Sequence, residues 1–133
     1  MIGLDTNILV RLIVDDDAAQ TRAATRLMLS GECFVSISVL METEWVLRSV
    51  FNLGRDRIAD ALERICGIPT VRVERPEDVR HLLELFKDGF DFADAVHVVA
   101  AANAGADAFA TFDQKLRRKI KDRPGLPVAR TPG

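Results

Sequence analysis

Tyrosine is absent from this chain of 133 residues, and tryptophan occurs once, at Trp45. Platforms on which single-stranded bases stack are therefore scarce, and Trp45 is expected to pack in a core or a dimer interface. Cysteine occurs twice, at Cys33 and Cys66, too rarely for a disulfide framework. Both lie beside apolar residues, so buried free thiols are expected, as in a protein of the reducing cytoplasm. Long apolar runs are missing as well. Arg11 interrupts the first one, no basic stretch leads into a signal-type apolar core, and no segment approaches the roughly 20 apolar residues of a membrane span. No membrane is expected as a partner. Nor does either sign of charge dominate: 18 Lys and Arg face 20 Asp and Glu, for a net charge of −2 and a pI near 5.7. This excludes the broad basic footprint of a general nucleic-acid binder. A nucleic-acid substrate would have to be met by local basic patches or through a metal.

What is present is a globular composition, 48% hydrophobic, at the length of one domain. Short β-like pieces alternate with longer helix-like ones. Strands are predicted at 2–4, 33–37, 71–73, 108–110 and 126–129. Helices are predicted at 6–14 with Thr6 as N-cap, 18–29, 38–51, 56–65, 76–87 and 92–104, with a short basic helix or loop at 113–120 and a frayed tail at 130–133. This alternation predicts an α/β fold with a mostly parallel sheet. Such sheets bind ligands outside the carboxyl ends of their strands.

Four carboxylates are predicted for that edge. Asp5 and Asp113 each follow a strand. Glu42 and Asp94 each fall early in a helix, and a helix that follows a strand begins at the same edge. Each has a plainer explanation: Asp5 and Asp113 as caps or turn residues, Asp94 as an acid favoured by the helix dipole. Asp91, three residues before Asp94, is best explained as an N-cap. Glu42 and Glu44 separate by helical phase. Val39, Leu40, Val46, Leu47, Val50 and Phe51 define an apolar stripe. Glu44 is expected in a solvated pair with Arg48 at i+4. Glu42 is expected at the stripe's margin, half-buried and without a basic partner.

Carboxylates gathered in a half-buried crevice repel one another and resist ionisation, and a divalent cation relieves both effects. Oxygen ligands suit Mg²⁺ or Mn²⁺ rather than zinc. His81 and His97 have no metal-ligand spacing, and His97 is expected to be a packed or rim histidine. A cation held by acids in this way points to phosphodiester hydrolysis.

At these residues the sequence resembles the PIN-domain ribonucleases, and within them the VapC toxins of type II toxin–antitoxin systems. The resemblance rests on "IGLDTNILVRLI" (2–13), "SISVLMETEWVLRS" (36–49), "GFDFADAVHVVAA" (89–101) and "FATFDQKL" (109–116), four motifs in one order over nearly the whole chain. It implies a PIN-like α/β/α sandwich with a central, mostly parallel sheet, and Mg²⁺- or Mn²⁺-dependent cleavage of RNA. Asp5, Glu42, Asp94 and Asp113 match the family's metal-binding quartet. Asn7 matches a residue supporting the first Asp, Thr111 a hydroxyl that orients the site, Ser38 a small polar position, and Asp91 an additional acid of the toxin subgroup. The resemblance also implies a homodimer and a cognate VapB-type antitoxin. In one departure, "RDRIADAL" follows Gly54 where relatives often have a Ser cap, so Asp56 is expected to cap that helix.

The remaining features are smaller. "VDDDAAQ" (14–20) is expected to be a solvated helix start capped by Asp17. "QKLRRKIKDR" (114–123) is the one concentrated basic patch, either a solvated helix or an RNA-backbone contact through Lys115, Arg117 and Arg118; Arg11 is a further candidate. Two rival readings stay open. A different phosphohydrolase would act on DNA flaps or small phosphoesters, although "DTN" lacks the second Asp of a haloacid-dehalogenase-type D-x-D. A binding module would use its acids only as caps, against which the placement of Glu42 argues.

Overall fold

Five helices of this chain begin the same way, with a short polar side chain in extended backbone turning to accept a first-turn N–H. In the computed structural model, which describes residues 1–121 and 123–133, Asp5 starts α1 (Thr6–Ile13), Asp17 starts α2 (Ala18–Leu29) and Ser36 starts α3 (Ile37–Ser49). Asp91 and Asp113 do the same further on. Each such cap is worth about 1 kcal/mol, because it satisfies an N–H that has no partner inside the helix. Asp17 is the cap the sequence predicts. Asp5, not Thr6, is the first cap, and Ser36, not Ser38, starts the third helix, so the preceding strand is two residues shorter than expected.

The chain divides into two compact units, Met1–Val79 and Arg80–Gly133. In the first, β1 (Ile2–Gly3), β2 (Cys33–Val35) and β3 (Val71–Val73) form a parallel sheet in the order β1-β2-β3, with Ile2 opposite Cys33 and Cys33 opposite Val71. Helix α1 packs on α2 and α3, and α3 packs on α4 (Arg55–Cys66). Leu9, Cys33, Val35, Leu40, Leu47, Ile58 and Leu62 are buried. Gly54 caps α4 without a side chain, so Asp56 lies inside the first turn instead of capping it. The start of α3 is held twice: Ser36 Oγ accepts from Val39 N at 3.1 Å, and Glu74, just past β3, accepts from Ile37 N at 2.8 Å.

Helix α5 (Pro76–Lys87) opens with Pro at its first position and Glu77 and Asp78 in its first turn, where a missing N–H costs nothing and negative charge meets the positive helix end. In the second unit Gly89, at φ +106°, makes the turn into α6 (Phe92–Asn103). Phe86 and Phe92 meet edge to face with ring centroids 5.5 Å apart. Strands β4 (Ala108–Ala110) and β5 (Val128–Arg130) pair in parallel as a second sheet, and α7 (Gln114–Ile120) packs on β5. Arg130, expected in a frayed tail, is the last residue of β5 and pairs with Ala110.

All strand pairings among the described residues are parallel, and the α/β class is the one the sequence predicts. No helix among them is long and apolar enough to cross a membrane. Cys33 is a buried free thiol, as expected. Cys66 is only half-buried, at the last turn of α4, and burial with the nearby Glu63 charge pushes its pKa up to about 11. Trp45 is not in a core: it is 54% exposed on α3.

Candidate active site

In the first unit the site is built around a threonine. Thr6 is 4% exposed. Its backbone N–H donates to Asp5 Oδ1 at 2.8 Å, and its hydroxyl donates to Glu42 Oε1. One buried residue at the start of α1 thus fixes a carboxylate at the end of β1 and another on α3. The sequence reading placed Thr6 as a cap and missed this role. Asn7 is exposed and gives Asp5 no hydrogen bond among the described residues. Ser38 is exposed, its hydroxyl 3.0 Å from that of Ser36.

The two glutamates of α3 exchange the environments expected of them. Glu44 is 3% exposed and takes Arg48 Nε at 2.8 Å and Nη2 at 3.4 Å; the Arg48 side chain is 49% exposed. Glu42 is exposed and partnered by Thr6. The buried face of α3 is Leu40, Thr43, Glu44 and Leu47, at i, i+3, i+4 and i+7. Thr43 enters it because its hydroxyl bonds back to the Val39 carbonyl at 2.7 Å. Glu44 enters it because Arg48 reaches in from the rim to match its charge. Val50, assigned to the stripe for being apolar, is exposed.

In the second unit the acids crowd each other. Asp91 Oδ1 accepts from Asp94 N at 3.0 Å, as an N-cap should. Asp94, half-buried in the first turn of α6, has its carboxyl held above its usual range. Burial is the largest cause, followed by the negative charges of Asp91 and Asp113; His97 and Lys119 oppose the shift. Asp113 caps α7, its Oδ1 accepting from Lys115 N at 2.9 Å and Leu116 N at 3.1 Å, while its own N–H donates to Thr111 Oγ1 at 3.0 Å. Thr111 therefore fixes the backbone of Asp113. Lys119 also ties α7 to the turn before Asp91 by donating to the Gly89 carbonyl. Nothing in the spacing of the basic run set Lys119 apart from its neighbours.

A pattern joins these acids. The structural hydrogen bonds go to one oxygen of each carboxylate, Oδ1 of Asp5, Asp91 and Asp113 and Oε1 of Glu42. Among the described residues the second oxygen of each has no hydrogen-bond partner. A capping carboxylate in this state still has an oxygen to offer a ligand.

A family model for the PIN domain matches residues 2–121, nine-tenths of the sequence. The chain belongs to the PIN-domain family. No curated protein matches it. PIN domains are in general nucleases and typically use divalent metal ions. The donor chemistry of this PIN domain fits such an ion: the acids offer hard oxygens, and Asp94 carries negative repulsion that a cation would relieve. Among the described residues, however, no three His, Cys, Asp or Glu side chains stand together as a ready-made cage.

Of the basic candidates, Arg11 is partly buried and pairs with Asp16. Arg117 Nη1 donates to Gln114 Oε1 at 3.1 Å. Lys115 and Arg118 are exposed on α7. His97 is exposed, at the rim of the Asp94 cluster.

Proposed function

We propose that this single PIN domain is a Mg²⁺- or Mn²⁺-dependent endoribonuclease, the toxin of a VapBC-type pair working in the cytoplasm. Asp5, Glu42, Asp94 and Asp113 are its metal-binding carboxylates. The observation that carries the reading is half-buried Asp94 at the start of α6, whose carboxyl is disfavoured as an ion first by burial and then by the charges of Asp91 and Asp113, with His97 and Lys119 in opposition.

When bound, a divalent ion supplies Lewis acidity, neutralising a phosphate oxygen and making a water more acidic. The chain's own residues position the acids. Thr6 holds Asp5 and Glu42 through separate donors. Asp91 fixes the first turn of α6 and so places Asp94. Thr111 fixes the backbone of Asp113, whose cap leaves one oxygen available. Asn7 and Ser38 are the supporting polar residues by family resemblance. Lys115, Arg117 and Arg118 on α7, with Arg11 on α1, are the proposed contacts to the RNA backbone.

The partner proposals rest on the family resemblance: a VapB-type antitoxin and a second copy of the chain. The exposed apolar residues Trp45 and Val50 of α3 support a dimer face. The test of the nuclease is cleavage of total cellular RNA by purified, antitoxin-free protein with Mg²⁺, with Mn²⁺ and with EDTA. Metal-dependent cuts that Asp94→Asn abolishes support the reading. Cleavage that persists in EDTA or in Asp94→Asn contradicts it.

A further inference from the structure

Beyond the acids, the second unit contains a groove of about 550 Å³ between α7 and the segment entering β5. Arg117, Arg118, Lys121 and Arg123 line it together with the apolar Leu126, Pro127 and Val128. No acidic residue is among the described lining residues. Two of the cations are engaged. Arg117 bonds to Gln114, while Arg123 bonds to Asp88 at 2.9 Å and lies 5.2 Å from the Phe90 ring centre. Arg118 and Lys121 are exposed and have no ion pair among the described residues.

Cations near the last turn of a helix have an ordinary cause, since they offset its negative end. That cause accounts for positive residues there. It does not account for a concavity that they line together with apolar residues and, among the described residues, no acid. Placing two unpaired cations one helical turn apart on the rim of such a groove leaves a field suited to a repeating anion.

We propose that this groove holds the sugar–phosphate backbone of a single-stranded stretch of the nucleic-acid substrate, with Arg118 and Lys121 as phosphate contacts and Leu126, Pro127 and Val128 against the sugars. The choice of ligand rests on the nuclease reading. Two observations favour a nucleic-acid strand over an acidic peptide. Gln114, which lines the groove, directly follows Asp113, so a strand lying there continues to a carboxylate of the proposed site. The wall is aliphatic and featureless, which suits a ligand whose charge lies on a regular backbone. Among the described residues no aromatic ring lines the groove, so bases are not stacked and the contact is indifferent to sequence.

The experiment is fluorescence anisotropy of labelled oligouridine and oligoadenosine of about 12 nucleotides, within the usual site size of single-strand binders. It is run in EDTA, so that nothing is cut, from about 50 to 200 mM salt. The proposal expects similar affinity for both oligomers. It expects the double variant Arg118→Glu/Lys121→Glu to bind about tenfold or more weakly, with a salt slope smaller by about 1.4, the value for two lost single-strand phosphate contacts. Unchanged affinity and slope in the double variant, with its melting curve intact, overturn the proposal. So does an oligoglutamate peptide that displaces the RNA and shows the same loss in the variant, since the groove then takes an acidic peptide. The nuclease reading is judged separately by metal-dependent cleavage. If cleavage is absent while the variant still loses RNA, that reading falls and the groove stands. If cleavage depends on Asp94 but the variant binds normally, the groove falls alone.

Discussion

Asp5 and Glu42, in the first unit, are each held by a donor from buried Thr6. Asp91, Asp94 and Asp113, in the second, also have structural bonds, yet Asp94 is burdened by burial and by both neighbours. The first pair is scaffolded: its geometry comes from hydrogen bonds that stabilise the fold. The second group is poised: burial and the charges of Asp91 and Asp113 disfavour the ionised Asp94 carboxyl, with His97 and Lys119 in partial opposition.

The comparison can be broken most severely at Asp94. Asp94→Asn keeps the size of the side chain and removes its charge. It should lower metal-dependent cleavage by about 100-fold or more, since even residues that merely support metal ligands cost 10- to 100-fold. Rates measured under single-turnover conditions would show it. Next comes a control on the scaffolded side. Arg48→Ala strands the buried Glu44 carboxylate without its cation. It should cost about 2 kcal/mol in urea unfolding, less than the loss of a fully buried pair because Arg48 is half-exposed. It should leave metal affinity alone. Thr6→Val removes only the hydroxyl that holds Glu42. About 1 kcal/mol of stability should go, and cleavage should fall while Asp94 remains intact. A variant that loses stability but no activity would uncouple Glu42 from the chemistry.

The smallest effect is also the most telling about strain. Because the Asp94 carboxyl is pushed up, the folded chain holds that proton more tightly than the unfolded chain does. Stability linked to Asp94 is complete below the ordinary Asp pKa and is lost as pH rises through the raised value. Asp94→Asn escapes the loss. In EDTA it should melt slightly above the parent at neutral pH, and the two melting curves should converge in acid. Convergence at neutral pH instead would mean that Asp94 is not strained.

The helices and strands were largely legible because their signals are local. Caps such as Asp17 and Asp91, Pro76 at a first helical position, and β-branched runs between turns act over a few residues. Boundaries slipped where two polar residues competed for one role, as Asp5 and Thr6 do, or Ser36 and Ser38. The carboxylates themselves were legible from their place at strand ends and helix starts. Their surroundings were not. Exchanging Glu42 and Glu44 between rim and interior came from treating the buried face of α3 as the apolar one, when Thr43 and Glu44 satisfy their polar groups and go inside. The role of Thr6 depends on α1 packing on α3, and that of Lys119 on the turn at Gly89. Neither contact leaves a trace in sequence spacing.

The central claim is that the acids around Asp94 are gathered for a cation, and calorimetric titration of Mn²⁺ into the full chain tests it most directly. The parent should bind, the Asp94→Asn variant should lose at least about tenfold in affinity, and Arg48→Ala should bind as the parent does. Equal affinity in the parent and Asp94→Asn, or no binding in the parent, would contradict the claim and leave these carboxylates as helix caps.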